Sequence, residues 1–318
     1  MKFGVGDFSG QRPPGSPVTH QRLYAELLEH AERIESAGLD SMWVSEHHFA
    51  ADGYMPAVLP IVSALLARTR RITVATDRLA ASLHDPVRLA EDAIALDLLS
   101  GGRFVLGLSL CYRDEEFHGL GVDRASDEVT LEAAARQLRD AFAGRPIRGA
   151  RVTPPPATPG GPQLMIAADG EGGAERAARL AGMMMVDPTE PWAVVDSAVE
   201  RYDAARGDRE GALVLFTYGG LSERGKEAAW AEVADGFRYM RHNYDRWMGK
   251  PETEVLPPKH YRLLLGTPAE VAERAGEYRK RYGERVHLVL RCSYPGMPAE
   301  AVNRQLALWG EAADSTRS

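Results

Sequence analysis

The sequence has few cysteines, since only Cys111 and Cys292 occur among its 318 residues. They lie far apart without the spacing of metal ligands. We therefore predict neither a disulfide framework nor a cysteine zinc site, and we expect a reducing, cytoplasmic environment. The sequence also lacks a run of about 20 apolar residues, the length needed to cross a bilayer. No apolar signal-peptide segment follows Met1, which agrees with a cytoplasmic location.

An excess of positive charge is also missing. Aspartate and glutamate (45) outnumber lysine and arginine (38), which gives a net charge of -7. This balance argues against nucleic acid or an anionic membrane as a partner. Hydrophobic residues make up 44% of the chain, enough for one large core, so we expect a single domain over residues 1–318.

Short apolar runs alternate with longer segments of helical periodicity, which predicts parallel βαβ units. Most runs are apolar at successive positions, as expected for strands covered on both faces. Eight such strands favour a closed barrel, and we predict an α/β fold of the (β/α)8 TIM-barrel type. The predicted strands cover residues 3–5, 41–44, 72–76, 104–108, 164–167, 183–186, 213–217 and 286–290.

Capping signals mark several helices. Asp85 precedes Pro86 at one predicted N-terminus, and Thr267 with Glu270 forms a capping-box pattern at another. Two segments interrupt the alternation. Residues 144–162 are rich in proline and glycine and predict an irregular connection. Residues from about 222 to 261 exceed one barrel helix and its loop and contain several aromatic residues, so we predict an insertion that packs over one barrel end.

A carboxylate and two histidines, Glu46, His47 and His48, follow the second predicted strand. Reactive groups of TIM barrels lie at the C-terminal ends of the strands, and an imidazole can act as a general base near neutral pH. Zinc binding is an alternative, but consecutive histidines lack the usual metal-ligand spacing, and we predict no metal site. A second alternative is that these histidines are structural and bonded to a carboxylate.

Four segments follow one another with a spacing that is specific to one enzyme family. They are residues 45–49, 85–92, 96–104 and 266–271, and through them the chain resembles the bacterial luciferase-like flavin-dependent monooxygenases. The resemblance covers almost the whole chain. It implies an oxidoreductase that takes reduced FMN from a separate flavin reductase and uses oxygen to oxidise a small or medium apolar metabolite. The alanine- and arginine-rich composition adds the expectation of a role in secondary metabolism.

The resemblance also implies roles for individual residues. His47 matches the family's active-site histidine beside the flavin, with Glu46 and His48 as catalytic neighbours. Glu46 would orient an imidazole or pair with a nearby cation. Asp97 and Arg103 match a family pair that we predict to be a structural ion pair. The aromatic insertion would be a lid that keeps water out, or an interface of a homo- or heterodimer.

The phosphate of FMN needs arginine, hydroxyl or backbone N–H groups, and this sequence departs from the family there. Leu110 and Glu128 stand where the family has arginines, and Asp169 stands where it has a serine. Arg113, Arg124 or the glycine-rich backbone of residues 170–173 could compensate. The implied cofactor contacts are Thr76, Asp77, Ser109, Tyr112, Gly170, Gly172 and Gly173.

The charged pair Asp77-Arg78 replaces small residues that the family packs against the flavin ring. It would fill part of that space or bind something else. Three hypotheses follow: a monooxygenase with an altered phosphate site, an oxidoreductase that uses a deazaflavin, and a flavin-free paralogue. The last would be a non-redox enzyme or the supporting subunit of a heterodimer, as the luciferase β subunit is. Binding of FMN, of deazaflavin or of neither distinguishes them.

Overall fold

The computed structural model describes residues 1–6, 9–170, 172–187, 190–250 and 262–317. Strands and helices alternate along most of the chain. The strands are β1 (Lys2–Gly6), β2 (Ser41–Val44), β3 (Thr73–Thr76), β4 (Leu79–Ala80), β5 (Phe104–Ser109), β6 (Gln163–Ala167), β7 (Met183–Val186), β8 (Ala212–Leu221), β9 (Leu264–Gly266) and β10 (Val286–Arg291). The helices are α1 (His20–Ser36), α2 (Val58–Arg68), α3 (Pro86–Ser100), α4 (Asp114–Leu120), α5 (Asp127–Phe142), α6 (Gly173–Leu180), α7 (Trp192–Arg206), α8 (Lys226–Trp247), α9 (Pro268–Tyr282) and α10 (Ala299–Arg317).

Eight of these strands close into a parallel barrel. The order is β1-β2-β3-β5-β6-β7-β8-β10, and β10 pairs with β1 to complete the circle. Each predicted strand coincides with one barrel strand, so the prediction of a (β/α)8 barrel is confirmed. The extended end of β8 carries β9 alongside it. Among the described residues, no helix is long and apolar enough to span a membrane.

The core has an inner and an outer part. Inside the barrel, residues such as Trp43, Met165 and Phe216 pack together, while a larger cluster fills the space between the strands and the helices. Burial on both faces explains why the strands are apolar at successive positions. The indole N–H of the fully buried Trp43 donates to the Ser41 hydroxyl at 2.7 Å, so this large ring leaves no polar atom unpaired.

The predicted helix ends are present. The Asp85 side chain accepts from the backbone N–H groups of residues 87 and 88, and α3 ends at Gly101 with a φ of 65°. Both bonds of the capping box are formed between Thr267 and Glu270. These local signals fix where the helices begin and end, and thus how far each strand end stands from the next helix.

Residues 144–162 form the irregular connection that the sequence predicts. Their contacts show that another prediction, the ion pair between Asp97 and Arg103, is wrong. The Thr158 hydroxyl and backbone N–H donate to Asp97 at 2.6 and 2.8 Å. Arg103 instead donates to the carbonyls of Leu66 and Ile72 at 3.0 and 3.1 Å. The predicted ion pair between Asp97 and Arg103 is therefore wrong, because Asp97 bonds to Thr158 and Arg103 bonds to backbone carbonyls at and after the end of α2. Both residues are structural, as expected.

The segment predicted as an insertion consists mainly of the helix α8, which has 22 residues. Its C-terminal half crosses the barrel mouth, the end of the barrel where the strands have their C-termini. There Tyr239 and Asn243 bond to Asp52, which lies in the connection after β2. The prediction that this segment packs over one barrel end is confirmed for residues 226–250. The rest of the predicted insertion, residues 251–261, lies outside the described residues.

Candidate functional site

His47 lies at the C-terminal end of β2 and is held on both ring nitrogens. Its Nδ1 lies 2.9 Å from Glu116 Oε1, and its Nε2 lies 3.0 Å from the Tyr112 hydroxyl. The side chain is only 8% exposed, and its backbone N–H donates to the Met55 carbonyl. This histidine is therefore fixed in orientation, with one side toward a buried carboxylate and the other toward a phenol.

Glu116 lies on α4 and is the centre of a buried hydrogen-bond network. Its carboxylate accepts from the His48 backbone N–H at 2.8 Å and from the Cys111 thiol at 3.1 Å, and Arg113 lies 3.3 Å away. Burial would raise the pKa of Glu116, but the hydrogen bonds from His47 and these groups outweigh it and hold the pKa below its usual range.

The charge of Glu116 decides which nitrogen of His47 carries a proton. An ionised carboxylate can only accept, so His47 Nδ1 must donate to it. In the neutral imidazole, Nε2 is then the acceptor and the Tyr112 hydroxyl donates to it. The arrangement resembles a carboxylate–imidazole relay that ends in a phenol at the barrel mouth, and it can store or pass on a proton.

Glu46 lies beside imidazoles, as the sequence suggests, but they are those of His48 and His84 rather than that of His47. Its carboxylate accepts from the Ala80 backbone N–H at 3.0 Å and lies 3.0 Å from His84 Nε2 and 3.3 Å from His48 Nε2. Burial would raise the pKa of Glu46, but its bonds to His48 and His84 lower the pKa to about 2. The bond to Glu46 raises the pKa of His48. Glu46 thus orients two other imidazoles.

Aromatic side chains from α8 pack against the His47 ring. The Trp247 ring centre lies 4.9 Å from that of His47, and the Arg113 guanidinium lies 4.4 Å from the Trp247 ring centre. The Tyr244 hydroxyl lies 3.1 Å from that of Tyr54, whose ring also packs on His47. These rings keep bulk water from one side of the imidazole.

A cavity of about 590 Å³ opens at the barrel mouth beside this histidine. The ends of strands β2, β3 and β5 to β8 and β10 contribute to it, together with α7 and α8. Its apolar wall includes Met185, Val186 and Phe216, and its polar wall includes His47 and Tyr112. The size and the mixed lining are typical of a small-molecule site.

The predicted cofactor contacts fall into two groups. Asp77, Tyr112 and Gly170 line the cavity. The remaining four do not line it: Thr76, Ser109, Gly172 and Gly173. The Thr76 hydroxyl bonds to the backbone N–H and carbonyl of Gly107, which ties β3 to β5. Gly173 packs against the Ala168 backbone, where a Cβ atom would come within 2.7 Å.

Arg78 lies across the mouth and links three strand ends. Its guanidinium lies 2.7 Å from Asp169 after β6 and 3.3 Å from Asp187 after β7. Asp77, its neighbour, is buried and also lines the cavity. The charged pair thus occupies part of the mouth, and Arg78 neutralises the carboxylate that replaces the family's serine.

The three departures from the family pattern do meet at one corner of the mouth. A Cβ atom on Gly170 would lie 3.3 Å from Glu128 Oε1 and 3.9 Å from Leu110. The two arginines suggested as substitutes lie elsewhere, since Arg113 is buried against Glu116 and Arg124 pairs with Asp114. Beside Glu128 the nearest cation is Arg176 on α6, 3.3 Å from Glu128 Oε2, while Arg78 pairs with Asp169.

The comparison with protein families agrees with this geometry. The model of the family described as luciferase-like monooxygenase matches residues 1–285. The chain belongs to this family. It is 25% identical over 260 residues to an alkanal monooxygenase beta chain of Photorhabdus luminescens. This alignment covers 76% of this chain and 79% of that protein. With a beta chain of Photobacterium leiognathi, identity is 39% over 98 residues, or 31% of this chain and 30% of that protein.

Solved structures of similar shape include other monooxygenases. The monooxygenase RslO1 from Streptomyces bottropensis superposes with a TM-score of 0.86 at 22% identity, with full coverage of both chains. The oxygenating constituent of 3,6-diketocamphane monooxygenase from Pseudomonas putida, in complex with FMN, has a TM-score of 0.78 at 16% identity and covers 99% of this chain and 98% of that one. At these identities the likeness supports the luciferase-like barrel fold.

Sequence reasoning missed two residues of this luciferase-like site, Glu116 and Arg176. Each lies on a helix rather than directly after a strand, where reactive groups of this fold are expected. For Glu116, the available signal was Arg113, three residues before it on the way into the same short helix. For Arg176, the signal was the glycine-rich start of α6, since glycines at a helix start allow close approach of another chain or ligand.

Proposed function

We propose that this chain is a monooxygenase that uses reduced FMN and oxygen to oxidise a small or medium apolar metabolite in the mouth cavity. The observation that carries the proposal is the position of His47, held between Glu116 and Tyr112 at the wall of a cavity of about 590 Å³. A structurally similar monooxygenase binds FMN, which supports the choice of cofactor.

The residues of the cavity fit a flavin ring. Met185, Val186 and Phe216 offer apolar surface, and His47 and Tyr112 offer polar atoms on the opposite strand ends. Near Gly170, the carboxylate of Glu128 stands beside Arg176, which marks a place where this chain already holds an anionic group. A bound reduced flavin would supply the electrons with which oxygen oxidises the substrate.

The protein's own part in the reaction is to hold and move a proton. His47 can take up a proton at Nε2 from the reacting group; the Tyr112 hydroxyl oxygen then accepts from that N–H, and Glu116 stabilises the positive charge of the imidazolium. His47 and Tyr112 line the cavity and are the proposed catalytic residues, whereas Glu116 is a positioning residue. Glu46 and His48 support the loop, because Glu46 contacts Ala80 and His84, and His48 contacts Glu46 and donates its backbone N–H to Glu116.

The surroundings favour an apolar substrate and a closed site. The rings of Trp247, Tyr244 and Tyr54 cover the imidazole, and water exclusion strengthens every electrostatic interaction behind them. We further propose that a separate flavin reductase supplies the reduced cofactor, and that the chain works as a homo- or heterodimer, as part of the same hypothesis.

Flavin titration tests the proposal directly. We expect FMN fluorescence to be quenched saturably by the protein, and reduced FMN in air to be oxidised faster with the protein than without it. The control variant His118→Ala should bind and oxidise FMN as the parent protein does, because His118 is exposed on the same helix as Glu116. If the protein binds a deazaflavin saturably but does not bind FMN, the proposed function becomes hydride transfer instead of oxygen use. If it binds neither, an oxidoreductase function is rejected.

A second candidate is a supporting subunit without a flavin of its own. Leu110, Glu128 and Asp169 favour it, because a leucine and two carboxylates meet where a phosphate would have to approach. Both relatives compared above are named beta chains. This candidate predicts that the chain binds neither flavin but forms a stable complex with a second luciferase-like chain, which co-expression and size-exclusion chromatography would detect.

A further inference from the structure

Arg176 is a buried cation at the edge of the mouth cavity. It belongs to the first turns of α6 and is only 4% exposed. One guanidinium nitrogen lies 3.4 Å from the Asp169 carbonyl, and another lies 3.3 Å from Glu128 Oε2. Its Nε atom is buried and makes no hydrogen bond, although Glu132 Oε1 lies 3.6 Å from it. A buried guanidinium with a free N–H can donate a hydrogen bond to a further anionic oxygen.

Glu128 occupies the space in front of this arginine. Its Oε1 lies 3.3 Å from the position of a Cβ atom on Gly170, a residue that lines the cavity. Its side chain is 59% exposed, so it can turn into solvent at little cost. The carboxylate is therefore a replaceable anion that sits between the cavity wall and a fixed cation.

The charges around this point become more positive when Glu128 leaves. Glu132 lies 3.0 Å from Arg179, 3.2 Å from Arg136 and 3.6 Å from Arg176. Three arginines thus face two glutamates, a net charge of one, and the net charge becomes two once Glu128 turns away. The start of α6 adds backbone N–H groups that lack acceptors within the helix, which favours an anion at this place.

The other carboxylates at this corner also have cations beside them: Glu175 in the first turn of α6 lies 3.8 Å from Arg201, and Asp169 pairs with Arg78. Asp169 lies 2.7 Å from Arg78, which joins it to Asp187 on the far side of the mouth. The positive charge of Arg78 therefore offsets the negative charge of Asp169, which adds little to the repulsion from Glu128.

We propose that Arg176 and the start of α6 form a seat for a phosphate monoester, and that the Glu128 carboxylate occupies this seat until the ligand displaces it. The seat deepens the proposed function and rests on it, since the phosphate would be that of the flavin. Glu128 then lowers the affinity for the phosphorylated cofactor without touching its ring. The chain would release its flavin easily, as a protein supplied by a separate reductase needs to do.

The test compares FMN with riboflavin, which has the same ring without the phosphate. In the parent protein, we expect the two dissociation constants to be similar. Glu128→Gln should bind FMN about tenfold more tightly, because one charge-assisted contact is gained, and should leave riboflavin within about twofold. Inorganic phosphate should compete with FMN in this variant and should not compete with riboflavin.

Two further variants make the test specific. Arg176→Gln, placed in the Glu128→Gln background, should abolish the gain for FMN, and Arg176→Lys keeps the charge if the glutamine variant fails to fold. Glu91→Gln removes an exposed carboxylate from an ion pair with Arg88 on α3 and serves as the control, with no change expected.

The outcomes separate the seat from the function. An unchanged ratio of FMN to riboflavin affinity in Glu128→Gln, with both flavins bound, overturns the seat and leaves the monooxygenase proposal standing. Failure of every variant to bind either flavin overturns the proposed function, and the seat with it.

Discussion

His47 and Glu116 are 69 positions apart in the sequence, yet Nδ1 of the histidine lies 2.9 Å from Oε1 of the glutamate. The contact forms because β2 ends beside the short helix α4, which follows β5. The same carboxylate oxygen accepts from the His48 backbone N–H at 2.8 Å, so Glu116 positions the loop as well as the ring. The imidazole that faces the cavity is thereby prevented from rotating.

Replacing His47 tests whether this imidazole is catalytic. We expect His47→Ala to lower the rate of substrate oxidation by about 10² to 10⁴, the usual contribution of a general acid or base. Because Glu116 keeps Arg113, Cys111 and the His48 N–H as partners, the fold should remain intact. Turnover and far-UV circular dichroism are measured together. Loss of the native spectrum would instead support the structural interpretation of this histidine.

The sequence carried most information about the barrel, because the barrel strands are largely buried on both faces and helices such as α3 and α9 have local capping signals. It also located His47, which a strand end places at the mouth by topology alone. It did not locate Glu116 or Arg176, since their roles depend on how helices from distant parts of the chain pack against a strand end. It predicted a bond between Asp97 and Arg103 that the loops around them replace by contacts to Thr158 and to backbone carbonyls.

Glu46 should make the stability of the protein depend on pH. Its pKa is lowered from 4.5 to about 2, so the ionised form stabilises the fold above about pH 4.5, and this contribution is lost as the pH falls toward 2. Glu46→Gln should therefore lower the free energy of unfolding at pH 7 by on the order of 3 kcal/mol. The raised pKa of His48 works in the opposite sense, and its contribution disappears as the pH rises through that value.

Urea denaturation at pH 7, 5 and 3 measures this effect. The difference between the parent protein and Glu46→Gln should be largest at pH 7 and should shrink toward pH 3. Glu91→Gln, at an exposed ion pair, should show a difference below about 1 kcal/mol throughout. A difference that stays constant with pH would mean that Glu46 stabilises the fold by packing rather than by its charge.

Hydrogen bonds to Asp52 hold the C-terminal half of α8 in place over the barrel mouth. Its Oδ2 atom accepts from Tyr239 at 2.9 Å, from Asn243 at 3.0 Å and from Gln11 at 2.7 Å. Asp52→Asn exchanges the charged acceptor for an amide and should cost about 1 to 3 kcal/mol at this point. We expect faster hydrogen exchange in residues 239–250, with little change in the barrel strands.

Asp235→Asn is the matched control for this prediction, because Asp235 lies on the same helix, is fully exposed and pairs with the exposed Arg238. Mass-spectrometric hydrogen exchange compares the two variants with the parent protein. Equal exchange in all three proteins would show that the aromatic contacts of Trp247 and Tyr244, and not Asp52, hold the helix in place.

Arg78 should govern how well the mouth accepts a negatively charged ligand. Burial would lower its pKa, but the charges of Asp169 and Asp187 outweigh burial and raise it, so the guanidinium stays charged and neutralises both carboxylates. Arg78→Met removes the positive charge beside Asp169 and Asp187 at the cavity wall. FMN affinity should then fall about tenfold or more, and riboflavin affinity should fall less, because riboflavin carries no phosphate. Raising the salt concentration should reduce the difference, since screening weakens the repulsion.

Arg88→Met, at an exposed ion pair on α3, is the control and should bind both flavins as the parent does. Stronger FMN binding by Arg78→Met would mean that the arginine blocks the cavity by its bulk, and that its charge is secondary.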